Sequence, residues 1–400
     1  MKILLLSDEF PPDGPGGDSA VVENLALQYR KHGHDVFVVA ATPFAKKAGR
    51  DVWKDIPVLR IYADYNPRLH AWISLWNIRA LGPVQQALKE FKPDIVHAHG
   101  VNRYLSYRAL VLAHKSGARV YLTAHDAMLY HFGKALDESR VSGFSLMRLY
   151  KTAYNPFRNI LIRLALKHVQ GVIAVSESLA RALRANGIPI QKVIHNGIDS
   201  KSWHVSSEAT DDFKKKYDLG NNVILFGGRL SGLKGAFMAI ECLANALREV
   251  PDTQLCVIGT KNSTAEQMLK DARRLGVEKN VIFTGRISDE ELKAAYYAAA
   301  VVIMPSFYVE PFGMMALEAM VSKRPVVGSN RGGIPEIIQD RVTGFVANLE
   351  DVAVFENSVI RVLKDKRLAT EMGDAGYSRA VSLFSLEKQA KEYLSLFSNG

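Results

Sequence analysis

The sequence predicts an α/β protein built of two doubly wound parallel-sheet domains. Three observations carry that prediction. A length of 400 residues exceeds what one hydrophobic core usually organises. Short β-branched runs alternate with helical patterns in each half, as parallel βαβ units require. Glycine-rich or charged segments follow several of those runs, where doubly wound sheets bind their ligands. The composition, 48% hydrophobic and 23% charged, is that of a folded globular chain and excludes disorder.

The strand-like runs of the first half are KILLL, DVFVVAA, VLRIY, IVHAH, RVYLTAH, GVIAVS and KVIHN; those of the second are VILFGG, QLCVIGT, VIFTGR, VVIMPS and PVVGS. The opening MKILLLSDEF carries one lysine and a four-residue apolar run closed at once by acids, so it reads as a buried first strand rather than a signal peptide. Residues 199–218 are polar, serine-rich and without an apolar period, and are expected to link a first domain (1–198) to a second (219–383). Helical patterns close the chain at 352–363, 368–383 and 386–397. The segment Met128 to Asn155 has no strand period and is rich in Arg, Lys, Tyr and Gly; it is expected to be a mobile insertion. No stretch approaches about 18 uninterrupted apolar residues, so no membrane-spanning helix is expected.

Only two cysteines occur, Cys242 in a helical pattern and Cys256 in a strand, which rules out a disulfide framework and a cysteine-rich zinc site. A reducing cytoplasm is the expected location. The net charge of +10 is unevenly spread: residues 1–205 hold 27 Lys+Arg and 16 Asp+Glu, whereas 206–400 hold 24 and 25. Such asymmetry suits a surface that meets something anionic, whether nucleic acid, a membrane face or a phosphorylated partner. Nucleic acid is disfavoured, because the basic half lacks an aromatic-interleaved stripe, a zinc pattern or a helix-turn-helix.

Candidate anion-binding pieces follow three strands. After the first comes PPDGPGGDSAVVENL, in which Gly14, Gly16 and Gly17 precede Asp18 and Ser19, expected caps of a helix running to about His32. Gly17 would let the backbone approach a ligand beside helix N-terminal amides; a flexible turn is the plain alternative. After VILFGG stand Arg229 and Lys234, five residues apart, where a planar fork and a point charge could neutralise a diphosphate, or simply face water. Neither segment is a G-x-G-x-x-G fingerprint or a Walker A loop, which weakens a dehydrogenase and an NTPase.

The third piece is EPFGMMALE, residues 310–318. A helix beginning near Phe312 would leave the N–H groups of Gly313, Met314 and Met315 unpaired and aimed at an anion. Glu310 would precede that helix and Glu318 lie nearly two turns in, with backbones roughly 10 Å apart at ~1.5 Å rise per residue. That spacing suits one extended ligand better than the ~5 to 9.5 Å carboxyl pair of a glycosidase. An exposed helix residue and a simple pre-helix acid are the alternative.

Seven of the eleven histidines fall between His70 and His168. His97 and His99 in HAHG have no accompanying cysteine or carboxylate cluster and are expected to line a crevice at a strand end rather than bind metal. Residues 68–192 hold 18 Lys+Arg against 6 Asp+Glu. Within them, Phe157, Ile160, Leu161 and Leu164 recur at helical spacing beside Arg158, Arg163 and Lys167. Two readings stay open: a basic amphipathic surface on anionic lipid, or a core-packed helix whose charges face water.

Taken with GRLSGLKG, HNGID, VIFTGRISDEELKAAYYAAAVVIMPS, GGIPEII and TGFV, the Glu310-to-Glu318 segment resembles the retaining nucleotide-sugar glycosyltransferases of family four (glycosyl transferases group 1), of the GT-B fold. The likeness extends through GGDSAVVENLALQYRKHGHDV, PDIVHAHG and TAHD, over nearly the whole chain. It implies two Rossmann-like doubly wound domains facing each other across a cleft, the first binding the acceptor and the second the nucleotide sugar, with a C-terminal helix of about 384–400 packing back on the first. It further implies that Glu318 holds the ribose hydroxyls and that Glu310 contacts the donor sugar. Arg229 and Lys234 would grip the diphosphate, helped by amides of Gly16, Gly17, Gly313, Met314 and Met315. His125 would contact the sugar, and Arg286 and Ile287 would line the base pocket near Gly259. One departure is visible: Gly259 is followed by TKNST where the family commonly has a second glycine.

No cofactor and no metal are expected, since the chain has no Asp-x-Asp clamp and two cations with a helix N-terminus can stabilise a departing phosphate electrostatically. The expected partners are a nucleotide sugar, UDP- or GDP-linked, and a glycan or lipid-linked acceptor, with an anionic membrane surface left open. The matching location is cytoplasmic, with the inner face of the plasma membrane also left open. The competing readings are a sugar-nucleotide epimerase or phosphorylase sharing the fold, a non-catalytic sugar-nucleotide sensor, and a basic nucleic-acid-binding protein.

Overall fold

The computed structural model describes residues 1–14, 16–66, 69–131, 133, 135, 137–139 and 156–399. The chain divides into two compact units, Met1–Gly197 with Leu386–Gly400, and Ile198–Ser385.

The first unit is built on β1 (Lys2–Ser7), β2 (Asp35–Thr42), β3 (Gly49–Trp53), β4 (Ile56–Tyr62), β5 (Ile95–Ala98), β6 (Arg119–Ala124), β7 (Gly171–Ala174) and β8 (Lys192–Val193). Among the described residues these form one sheet in the order β3-β4-β2-β1-β5-β6-β7-β8, parallel except for the antiparallel edge strand β3. The central strands read as unbroken apolar runs because both faces are covered: Ile3 to Leu6 of β1 are fully buried. Among the described residues up to 197, the helices of this unit are α1 (Gly17–Lys31), α2 (His70–Ile73), α3 (Ile78–Phe91), α4 (Arg108–Lys115), α5 (Pro156–Leu166) and α6 (Glu177–Ala185). The sequence order changes direction between β1 and β5, so residues following those two strands converge at a topological switch point.

The second unit contains α7 (Ser207–Lys216), β9 (Val223–Gly227), α8 (Ala236–Glu249), β10 (Gln254–Ile258), α9 (Ser263–Arg274), β11 (Val281–Gly285), α10 (Asp289–Ala298), β12 (Val301–Met304), α11 (Met314–Val321), β13 (Val326–Ser329), α12 (Ile334–Ile337), β14 (Gly344–Ala347), α13 (Val352–Lys364) and α14 (Lys366–Leu383). Its sheet is all parallel in the order β11-β10-β9-β12-β13-β14, with the switch point between β9 and β12. α15 (Leu386–Asn399) belongs to the first unit, where Tyr393 and Phe397 are fully buried. Each such aromatic contributes about 2 to 3 kcal/mol of apolar burial.

Two strands escape the sequence reading. β3 is an exposed edge strand with little apolar signal, and β14 is only four residues long. The stretch 199–218 lies within the second unit and carries α7, capped by Ser206 on the amide of Ala209 and resting against α10. Its polarity belongs to a helix with one buried apolar residue, Phe213, rather than to a structureless link. Of the segment 128–155 expected as an insertion, residues 132, 134, 136 and 140–155 lie outside the described residues.

Candidate active site

The switch point of the second unit gathers the residues that follow β9 and β12. After β9 the chain turns through a single 3₁₀ turn, Gly232–Lys234, and Gly235 follows with φ of 83°. A Cβ on Gly235 would stand 2.1 Å from the carbonyl oxygen of Pro305, so this turn packs directly on the backbone that leaves β12. The amide of Phe307 donates to the carbonyl of Leu233 at 2.8 Å and fixes the same approach. Lys234 is thereby carried to Glu310, and its Nζ donates to Oε1 at 2.9 Å and to Oε2 at 2.8 Å. Ser306 Oγ donates to Oε2 at 3.1 Å, and the Lys234 ammonium lies 5.5 Å from the ring centre of Tyr308.

Glu310 is 7% exposed. Burial works to raise its pKa, but the charge and hydrogen bonds of Lys234, with Tyr308 and Ser306, outweigh it and hold the carboxyl below the usual glutamate range. Behind it stands the turn Gly332–Gly333. The amide of Gly333 donates to the carbonyl of Glu310 at 2.8 Å, and a Cβ on Gly332 would fall 2.2 Å from that carbonyl oxygen. Only glycine leaves the Glu310 backbone where it is.

α11 starts at Met314 with Gly313 as N-cap, two residues later than expected, because Gly313 adopts a left-handed conformation (φ 116°) that cannot continue a helix backwards. The Met314 and Met315 amides thus occupy the first turn, and the Met315 thioether packs against the Gly227–Gly228 turn after β9. Glu318, on the same helix, is half-buried and accepts from Tyr296 Oη of α10. Burial raises its pKa, opposed by that hydrogen bond and by Lys234. The two glutamates of one segment therefore sit in opposite electrostatic settings, the usual sign of two separate roles.

Arg229 is exposed and makes no hydrogen bond or ion pair among the described residues, so the expected partnership with Lys234 is not a contact between them. Gly259 follows β10, with its amide bonded to Gly285 at the end of β11; Arg286 is exposed and Ile287 half-buried just beyond. These residues stand at the carboxyl edge of neighbouring strands.

The first unit has its own cluster. Gly16 caps α1, with Gly17 as first residue, and no side chain caps it; Asp18 and Ser19, expected as caps, lie inside the first turn. His97 of β5 and His99 just after it do not line a crevice but are buried, 0% and 2% exposed. His97 pairs with Tyr29 Oη (3.1 Å) and with Thr123 Oγ1 (2.8 Å), which in turn meets Tyr393 Oη at 3.0 Å. His99 Nδ1 lies 2.9 Å from Nε2 of His125, and His125 Nδ1 lies 3.9 Å from the Asp18 carboxylate. Burial pushes His125 down to about 4 against the pull of Asp126, and holds His99 low as well. Asp8, after β1, accepts from the amides of Arg103, Tyr104 and Leu105 at 2.6 to 3.0 Å and fixes the loop that leads to α4.

Sequence reasoning missed Ser306, Tyr308, Tyr296, Gly332, Asp8 and Thr123. The signal was partly present, since Ser306 ends the run VVIMPS, Tyr308 stands two residues after it and Gly332 belongs to GGIPEII. Among the described residues no group of three or more His, Cys, Asp or Glu could hold a metal ion.

Two Rossmann-like units with ligand-type residues at their switch points define the GT-B class. HepE of Anabaena, solved with UDP and glucose, aligns over 100% of both chains with a TM-score of 0.75 at 21% identity. A family model described as Glycosyl transferases group 1 matches residues 207–379, and one described as Glycosyltransferase Family 4 matches residues 15–202. The chain belongs to this glycosyltransferase family. It is 27% identical to the glycogen synthase of Mycobacterium tuberculosis over 98% of this chain and 92% of that protein. It is also 35% identical to the GDP-mannose-dependent alpha-(1-6)-phosphatidylinositol monomannoside mannosyltransferase of Mycolicibacterium smegmatis, over 45% of this chain and 49% of that one.

Proposed function

We propose that this glycosyltransferase moves a sugar from a nucleotide-diphosphate sugar to an acceptor hydroxyl with retention of anomeric configuration and without a metal ion. The observation that carries the reading is the pairing of half-buried Lys234 with buried Glu310 ahead of the first turn of α11. Breaking the bond between sugar and phosphate builds negative charge on the β-phosphate, and a preorganised ammonium with helix N-terminal amides stabilises that charge. Lys234 keeps its carboxylate partner on one side and offers its remaining donor capacity to the phosphate. Arg229 supplies a planar fork that is not engaged by protein groups among the described residues. The amides of Gly16, Gly17, Gly313, Met314 and Met315 are assigned to anion contacts.

Glu310 is assigned to the transferred sugar and Glu318 to the ribose hydroxyls, with Tyr296 holding one of its oxygens. Gly259, Arg286 and Ile287 are assigned to the base, and His125 to a sugar contact. The departing phosphate accepts the proton of the acceptor hydroxyl, so front-face attack needs no separate base. HepE with UDP and glucose supports a UDP-sugar, and the mannosyltransferase relative a GDP-sugar. The same relative supports a lipid-linked acceptor at the membrane face, and the glycogen synthase relative a glycan one.

The test is product analysis with UDP-, GDP- and ADP-sugars and glycan or lipid acceptors in the presence of EDTA. A product whose anomeric proton keeps the donor configuration is expected. An inverted product, or turnover that EDTA abolishes and divalent cations restore, would overturn the mechanism.

A further inference from the structure

The carboxylate assigned to the ribose is itself held by neighbours. Glu318 of α11 accepts from Tyr296 Oη of α10 at Oε2, and among the described residues its Oε1 makes no hydrogen bond. One oxygen is anchored and the other is left for a ligand. Tyr296 is fully buried, so the anchor is only as steady as the packing around its ring.

One residue bridges the two helices that supply this pair. Trp203, half-buried, stands ahead of α7 in the segment that opens the second unit. Its indole Nε1 donates to Ser322 Oγ at 2.8 Å, and Ser322, fully buried at the end of α11, donates in turn to the Glu318 carbonyl at 2.8 Å. The same indole meets the Tyr296 ring edge to face, with centres 5.9 Å apart and planes at 60°. Lys293, one turn before Tyr296 on α10, donates to the Ser202 carbonyl and sets its ammonium 5.9 Å from the Trp203 ring centre. Filling this space does not require an indole. A phenylalanine would still pack on Tyr296 but would bring no donor to Ser322.

We infer that Trp203 is a positioning residue that sets the preference of the nucleotide site for ribose over deoxyribose, by holding Tyr296 through its ring and the Glu318 turn through Ser322. A carboxylate fixed beforehand meets a ribose hydroxyl without first being ordered, and ordering a loose side chain costs about two- to ten-fold in affinity. Trp203 touches no ligand in this account and acts only through Tyr296, Ser322 and Glu318. The inference rests on the assignment of Glu318 to the ribose hydroxyls and extends it to what orients that carboxylate.

The experiment is calorimetric titration of the full chain with UDP, 2′-deoxy-UDP and 3′-deoxy-UDP, and with the matching GDP set. The parent should favour at least one ribonucleotide over its deoxy forms about 10 to 100-fold, the worth of a hydrogen bond to a charged group. Trp203→Ala should lower that ratio about five-fold. Trp203→Phe, which keeps the ring, and Ser322→Ala, which removes the same link from its other end, should each fall between the parent and Trp203→Ala. Tyr296→Phe, which removes the anchoring hydroxyl itself, should lower the ratio at least as far as Trp203→Ala. Damage to the packing of the unit would weaken ribose and deoxyribose forms alike and leave the ratio where it was. An unchanged ratio in Trp203→Ala, whatever its absolute affinities, would therefore overturn the inference while the ribose assignment stood. A parent that favours neither ribonucleotide would overturn the ribose assignment of Glu318, and this inference with it.

Discussion

Lys234 donates to both carboxylate oxygens of Glu310, at 2.9 and 2.8 Å, although 76 residues separate them in the chain. The pairing follows from sheet order: β9 and β12 are neighbours, and each delivers one partner at its carboxyl end. Lys234→Met removes the cation bonded to the buried carboxylate of Glu310. Turnover should fall about 10² to 10³-fold, the loss typical for one preorganised electrostatic group. The acid limb of the pH–rate profile should also rise, because burial then acts on Glu310 without Lys234 to offset it. A limb that stays put would separate Lys234 from Glu310 in the reaction.

Glu318→Gln should trade function for stability. The raised pKa of Glu318 means that its ionised form is disfavoured in the folded state, so its contribution is fully present below the ordinary glutamate range and is lost as pH rises through the folded pKa. Gln keeps an acceptor for Tyr296 without the charge. The variant should melt higher than the parent at pH 7, lose that advantage near pH 4, and bind nucleotide more weakly. A lower melting point at neutral pH would contradict the assignment of burial as the dominant cause.

Gly332→Ala tests the positioning of Glu310 without touching its side chain. A methyl group there meets the Glu310 carbonyl oxygen at 2.2 Å and a left-handed backbone (φ 67°). Destabilisation of roughly 2 to 4 kcal/mol is expected, with turnover reduced further than the folded fraction accounts for. Chemical denaturation and single-turnover kinetics on the same preparation distinguish the two effects.

The histidine cluster predicts a pH dependence of opposite sense. The folded pKa of His125, about 4, lies below its ordinary value of 6.5, so neutral imidazole is favoured in the fold. Its contribution is complete above about pH 6.5 and disappears as pH falls towards 4. Replacing His125 by Gln should therefore flatten the slope of stability between pH 4 and 6.5. His99→Gln should shift the imidazole titration of His125 followed by NMR, because their ring nitrogens are 2.9 Å apart.

Most of the fold was legible in the sequence because strands covered on both faces must be continuously apolar, and their order follows from βαβ connectivity. β3 and α7 were not, because an edge strand and a one-sided surface helix bury too little to leave a pattern. At the site, Glu310, Lys234 and Glu318 announce themselves as charges beside glycines. The close approaches that bring Lys234 to Glu310, Gly235 on Pro305 and Gly332 on Glu310, depend on which strands are neighbours. That is three-dimensional information. The direction of α5 was likewise undecidable, since its outward apolar stripe looks in sequence like the face of a core helix.

Calorimetric titration of UDP and of GDP into the parent chain and into Lys234→Met, both in EDTA, bears most directly on the diphosphate cradle. The parent should bind at least one nucleotide, and the variant should bind it about 10 to 100-fold more weakly, as loss of a charge-assisted contact to phosphate requires. Equal affinity in parent and variant, with the variant folded, would show that the phosphates are held elsewhere.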